Sequence, residues 1–346
     1  MTDYRHLRRR ELLRRLAVGT LAAIVPSGPM TRRARSQTSG ARTPLSVVMT
    51  PGVTGLALHE MAKEAGFFDT FGVQPNVVPV GDGTKATAAL LGGSSDICMW
   101  SGFNQIPPAV EKGGKLKILG GALSLSSLVI YSKRETIRSV KDLEGKTLGT
   151  GAVGSVLHQM LVLLLRKKGV DPKSVTFRSI GGYPAIFKAV AAGTVDAGPA
   201  DVDVFEQQER YKVHALTDGL LWEQLPEYTN QGTYTTDAAI ATKRDALVRL
   251  LAAYAKAYRL VSGPDSMEAF VRARARVVGK DERHEAITQW TWTQKSQPYA
   301  TDLVLLDERI NLIQRLNIEL GVQKTMLPLE RVADMSLARD AVKLLG

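Results

Sequence analysis

Six loops carry the side chains of this chain best suited to grip a small molecule. Residues 50–55 offer Thr50, Gly52 and Thr54, and residues 81–84 offer Gly81 and Asp82. Trp100, Ser101, Phe103 and Asn104 follow in the third, Gly151 and Ser155 in the fourth. The fifth ends at Tyr183, and the sixth carries Asp201 and Asp203. Glycines let backbone N–H groups come close to a ligand, and a helix beginning just after such a loop favours an anion there. Trp100, Phe103 and Tyr183 suit the sandwiching of an apolar or aromatic part. Two carboxylates facing one cleft repel a bare anion and suit a ligand with N–H or O–H donors, unless one of them turns away.

The same inventory offers little for catalysis. The five histidines, His6, His59, His158, His214 and His284, are scattered, and H-x-x-H, H-E-x-x-H and G-x-S-x-G do not occur. His59 next to Glu60 reads as a solvated helix face rather than a general base, and His158 reads the same way. "GTGAVGS" (149–155) is glycine-rich but lacks the lysine of a nucleotide-binding loop. The single cysteine, Cys98, cannot form an internal disulfide, a zinc cluster or a CxxC couple. Lying in "DICMW", it reads as a buried, inert thiol. No catalytic residue, metal ligand or cofactor is assigned.

Short apolar runs alternate with helical stretches and place these loops at the carboxyl ends of strands. "LSVVMT", "VQPNVVPV", "DICMW" and "LKILGGAL" are separated by helices at about 59–65, 85–91 and 106–112. The pattern restarts with "SSLVIYSK", a strand at 147–149, a helix over 155–168, "SVTFRSI", a helix with Pro184 in its first turn, and "VDAGPAD". Such alternation predicts an α/β fold with mainly parallel sheets flanked by helices. "ALLGGSSDI" (89–97) and "AVAAGTVDA" (189–197) repeat one phrase. In each, a glycine, Gly93 or Gly193, ends a helix in the left-handed conformation. An aspartate, Asp96 or Asp196, then enters a strand and satisfies loose backbone amides. From about Ala238 the chain reads as helical, and Tyr254 and Tyr258 form a packing stripe.

The net charge of +11 does not indicate a nucleic-acid partner. Residues 1–42 hold ten arginines against Asp3 and Glu11, which is +8, leaving +3 for the rest and no basic stripe interleaved with aromatics. "RRRELLRR" (8–15) followed by the ten apolar residues "LAVGTLAAIV" (16–25) reads as an export signal, and "RRELL" resembles the twin-arginine motif. The mature fold is expected to begin near Thr43. No cysteine follows the apolar run, so a free, unanchored protein in the exported compartment is expected.

"GLALHEMAKEAGFFDTFGVQPNVVPVGDGTKATAALLGGSSDI" resembles the opening of the nitrate/taurine/aliphatic-sulfonate group of ABC-transporter substrate-binding proteins, whose fold the thiamine-pyrimidine-type proteins share. "SVKDLEGKTLGTG" and "AVAAGTVDAG" resemble two further phrases of that family, in order and at its spacing. The resemblance implies a two-lobed, periplasmic-binding-protein-like clam-shell of the type II class. One lobe would span 43–124 plus 232–346 and the other 125–231, with hinge residues Ala122, Ser124 and Tyr234. It implies a monomer in the periplasm that binds a small-molecule solute in the cleft and delivers it to an ABC permease in the inner membrane. Two departures stand out. Asp201-Val202-Asp203 replaces the aromatic-acidic-proline trio of many relatives, and the cysteine-rich motif of the thiamine-pyrimidine enzymes is missing. A sensory or partner-binding module of the same fold, or such an enzyme, are the alternative readings.

Overall fold

The computed structural model of the protein describes residues 41–50 and 52–346; the export signal read from the sequence lies outside them. Among the described residues, ten strands form two five-stranded sheets. The strands are β1 (Thr43–Met49), β2 (Val73–Pro79), β3 (Ile97–Ser101), β4 (Leu116–Leu123), β5 (Leu128–Ser132), β6 (Thr147–Thr150), β7 (Thr176–Ser179), β8 (Ala197–Asp201), β9 (His214–Leu220) and β10 (Gln231–Thr236). The first sheet runs β2-β1-β3-β10-β4 and the second β7-β6-β8-β5-β9.

The two sheets are built alike. In each, four strands point one way and the strand in fourth place runs against them: β10 lies antiparallel between β3 and β4, and β5 between β8 and β9. β3 and β8 are buried along their whole length, which accounts for the unbroken runs Ile97–Ser101 and Ala197–Asp201. β10, Gln-Gly-Thr-Tyr-Thr-Thr, shows no such run and escapes a hydropathy reading. It is held by ladders on both sides.

The repeated phrase forms the same device twice. Gly93 and Gly193 both have φ +73°. Ser94 and Thr194 then donate their N–H groups back to Ala89 O and Ala189 O at 3.0 and 2.9 Å. Asp96 Oδ2 accepts from Ser46 N at 2.9 Å, and Asp196 Oδ2 accepts from Thr147 N at 2.8 Å. Each aspartate thus ties the entry of a central strand to the strand beside it.

The chain passes between the sheets twice, from β4 to β5 through residues 124–127 and into β10 through 228–230. Ser124 lies in the first passage, where its N–H donates to Pro298 O at 2.7 Å and its carbonyl accepts from Arg309 Nη1 at 3.0 Å. Ala122 and Tyr234, expected at the hinge, are inside strands instead. The Ala122 carbonyl accepts from Ala300 N, and Tyr234 is paired with Cys98 on one side and Ile118 on the other.

The helix Asp237–Ser262, capped by Thr236 Oγ1 on Ala239 N at 3.1 Å, lays Tyr254 and Tyr258 into the core of the first sheet. That core also changes the reading of His59. It is half-buried, its Nδ1 lies 2.8 Å from Tyr254 Oη, and burial pushes its pKa down to about 4. His158 is likewise buried, against Phe177, with Nδ1 accepting from Gly154 N at 3.2 Å. Neither is the solvated residue expected.

Candidate functional site

The carboxyl ends of β1 and β3 in the first sheet and of β6 and β8 in the second border one cavity of about 630 Å3. Four helices start at its wall: Val53–Glu64, Gly83–Leu91, Val156–Lys167 and Tyr183–Ala192. Asp82 caps the second through Lys85 N at 2.9 Å, and Ser155 caps the third through His158 N at 3.4 Å. The first and fourth have Gly52 and Gly182 at the cap, with no side-chain cap for the first-turn N–H groups; in the fourth Pro184 has no N–H and Ala185 N donates to Gly182 O at 3.0 Å, which leaves the N–H of Tyr183 alone in that turn. Those donors are left for water or a ligand.

Thr50, Gly52, Thr54, Gly81, Asp82, Trp100, Ser101, Asn104, Gly151, Ser155, Tyr183 and Asp201 all line this cavity. Trp100 is 3% exposed and is held from behind by Tyr258 and Tyr299, ring centroids 6.1 and 6.2 Å away. The space for its ring comes from Gly55, where a Cβ would lie 2.7 Å from the indole. Tyr183 projects from the second sheet's side until its hydroxyl lies against Gly52: a Cβ there would be 3.2 Å away. Ser127, Asn230, Gln231 and Asn317 add to the polar lining, as do Thr84, Gln105 and Ser179. Asn317 comes from the helix Asp307–Glu319, donates to Asn104 O at 2.7 Å and accepts from Gln159 Nε2 at 2.6 Å. Nothing local in the sequence marks it. Ser127 could have been found from the paired serines that open "SSLVIYSK".

Two expected residues are elsewhere. Phe103 is 1% exposed and packs in the core, with its ring against Gly232. Asp203 turns away from the cavity to Arg274, whose Nη2 donates to it at 2.7 Å. The same guanidinium reaches Glu282 at 3.2 Å and Gln289 Oε1 at 2.8 Å.

The electrostatics follow from this division. No lysine, arginine or histidine lines the cavity among the described residues, and its two acids are Asp82 and Asp201. Asp201 is 8% exposed, and its Oδ1 accepts from Val202 N at 2.8 Å. Burial first, and the Asp203 carboxylate second, push its carboxyl up to about 7. Burial raises Asp203 as well, and Arg274 opposes that rise. Asp201 can therefore donate a hydrogen bond when neutral, or meet a cationic or N–H-bearing group when ionised. Cys98 is buried outside the lining, and burial pushes its thiol up to about 12.

Residues 55–266 match the NMT1/THI5-like family. The chain belongs to that family. A search of curated proteins by sequence gave no match. Among solved structures, the aliphatic sulphonate-binding protein SsuA of Escherichia coli is similar at TM-score 0.67 and 17% identity, over 84% of this chain and 92% of that one. The alkanesulfonate-binding protein SsuA of Xanthomonas axonopodis pv. citri, bound to MOPS, gives 0.65 and 18% over 88% and 99%. The desulfurization enzyme DszB gives 0.57 and 15%, again over 88% and 99%. At such identities the likeness is one of fold, and this NMT1/THI5-like chain has the two-lobed architecture of periplasmic binding proteins. Its named neighbours are mainly solute-binding proteins, with DszB among them.

Proposed function

We propose that the protein is the exported solute-binding component of an ABC importer, a periplasmic monomer that hands its ligand to a membrane permease. The lobes would be residues 43–124 with 232–346, and residues 125–231. They would hinge at Ser124 and at the return passage 228–230. The observation that carries this reading is a cavity of about 630 Å3 built from strand ends of both sheets, a size and place typical of small-molecule sites. The solute is a small organic molecule with a hydrogen-bond donor on Asp201, its body between Trp100 and Tyr183, and an acceptor toward the bare helix starts at Gly52 and Gly182. Sulfonates, nitrate and other bare anions find no cationic side chain in this lining.

The reading is non-enzymatic. The one thiol is buried with its proton held, and His59 and His158 do not line the cavity among the described residues.

A thermal-shift screen on residues 43–346 tests the proposal. The panel would hold sulfonates, aromatic carboxylates, amines, amides, nucleobases and amino-acid derivatives. A ligand at a hundredfold excess over its dissociation constant adds about 2.7 kcal/mol to stability. A shift lost on Asp201→Ala and on Trp100→Ala is the expected result. Shifts that survive both substitutions would place binding elsewhere and end this reading.

A further inference from the structure

A second cavity, of about 440 Å3, adjoins the first, and Tyr183, Pro184 and Asp201 line both. One wall is a face of the helix Tyr183–Ala192, where Tyr183, Phe187 and Ala191 stand four residues apart and so share a side. Val204 and Tyr211 contribute from the segment after β8. The Phe187 and Tyr211 rings meet edge-on, centroids 5.1 Å apart at 86°, and both rings are only half-buried. The charged groups at the base, Asp203 and Arg274, are already committed to each other at 2.7 Å. Gln207 is bonded to Glu285 at 3.1 Å, so apart from the exposed Lys188 and the shared Asp201 the uncommitted lining is aromatic and aliphatic.

We infer that the second cavity is a subsite for a planar aromatic group, the far end of the solute whose polar end meets Asp201. The inference rests on the solute-binding reading above and narrows its ligand to a molecule with a donor-bearing head and an aromatic tail. Three observations support it. The two spaces share a wall through which one ligand can extend. Phe187 and Tyr211 present ring surface at the geometry in which a third ring adds edge-to-face. Roughly 150 Å3 of apolar cavity suffices for benzene, so this one has room for a bicyclic ring.

Isothermal titration of the whole protein with indole tests it, using Ala191→Trp to fill the second cavity and Trp100→Ala to alter the first. The expected result is that Ala191→Trp weakens indole binding about tenfold or more, and Trp100→Ala changes it less than about threefold. Indole binding that is lost on Trp100→Ala and untouched by Ala191→Trp would overturn the inference, as would no binding up to the solubility of indole. Should Ala191→Trp fail to fold, Phe187→Leu removes the ring while keeping an apolar side chain, and an unchanged indole affinity in that variant is equally fatal. A solute that needs Asp201 and Trp100 while indole finds no site would sink the subsite and leave solute binding standing.

Discussion

Asp203 lies 2.7 Å from the Arg274 guanidinium, whereas Asp201, two residues before it, faces the cavity with no cation of its own. The pair that looks like one doubly charged edge in the sequence is thus divided: one carboxylate fastens the segment after β8 to the helix Met267–Val278, and the other is left for chemistry. Arg274 is 4% exposed at its side chain and Asp203 17%. Arg274→Met is expected to cost about 3–5 kcal/mol, because it strands Asp203 without its partner, whereas Glu282 keeps Lys280. Combining it with Asp203→Asn should cost less than the sum of the two single changes, as read by urea unfolding.

Asp201 should give the stability of the unliganded protein a characteristic pH dependence. In the unfolded chain it titrates near the usual value of about 4; in the fold it sits at about 7. Between those values the folded protein holds a proton that the unfolded chain has released. Its contribution is therefore most favourable below about pH 4 and is lost as pH rises through 7. Asp201→Asn removes this slope. The variant should gain on the wild type between pH 5 and 8 by on the order of 2 kcal/mol, measured by chemical denaturation at each pH.

Gly55 provides a test of how Trp100 is seated. Glycine to alanine inside a helix ordinarily stabilises by about 0.5–1 kcal/mol. Here the new methyl would meet the indole at 2.7 Å. Gly55→Ala is expected to destabilise by about 1–3 kcal/mol instead, and to weaken any ligand that lies on Trp100.

The duplicated aspartates should behave as independent copies. Asp96→Ala and Asp196→Ala each free a strand amide, Ser46 N or Thr147 N, and each is expected to cost about 1–3 kcal/mol. The two costs should add to within about 0.5 kcal/mol in the double variant, since the residues lie in different sheets and share no partner.

Cys98 should be silent toward thiol reagents at pH 8 in the native protein and react only on unfolding. Burial holds the proton on its sulfur, with the pKa raised to about 12. Labelling at the rate of a free thiol would contradict its place in β3.

What could be read from the sequence follows a physical line. The cavity loops were legible because they join local signals: an apolar run, a glycine, then a helix start. The two aspartate phrases were legible for the same reason. The first helix was expected at about 59 but begins at Val53, because "PGVTG" reads as a turn while Gly55 is in fact required by Trp100. β10 was missed because its polar residues are buried by neighbouring strands more than a hundred residues away in sequence. Arg274 and Asn317 were missed because each reaches its partner across a long span of chain, and no local pattern marks such a pair. Phe103 was misplaced because a loop aromatic can face either way, and only Gly232 shows which.

The position of β10 bears on how the protein comes off the ribosome. Every strand of the second sheet lies between residues 128 and 220, so that sheet can be completed while the rest is still being made. The first sheet cannot. β3 and β4 emerge early but are neighbours only through β10, which follows the whole second sheet. Until then the nascent chain carries two unpaired apolar strand edges, the kind of surface that invites aggregation. The second sheet can therefore be complete before the first, and the last strand to arrive is the one that joins β3 to β4.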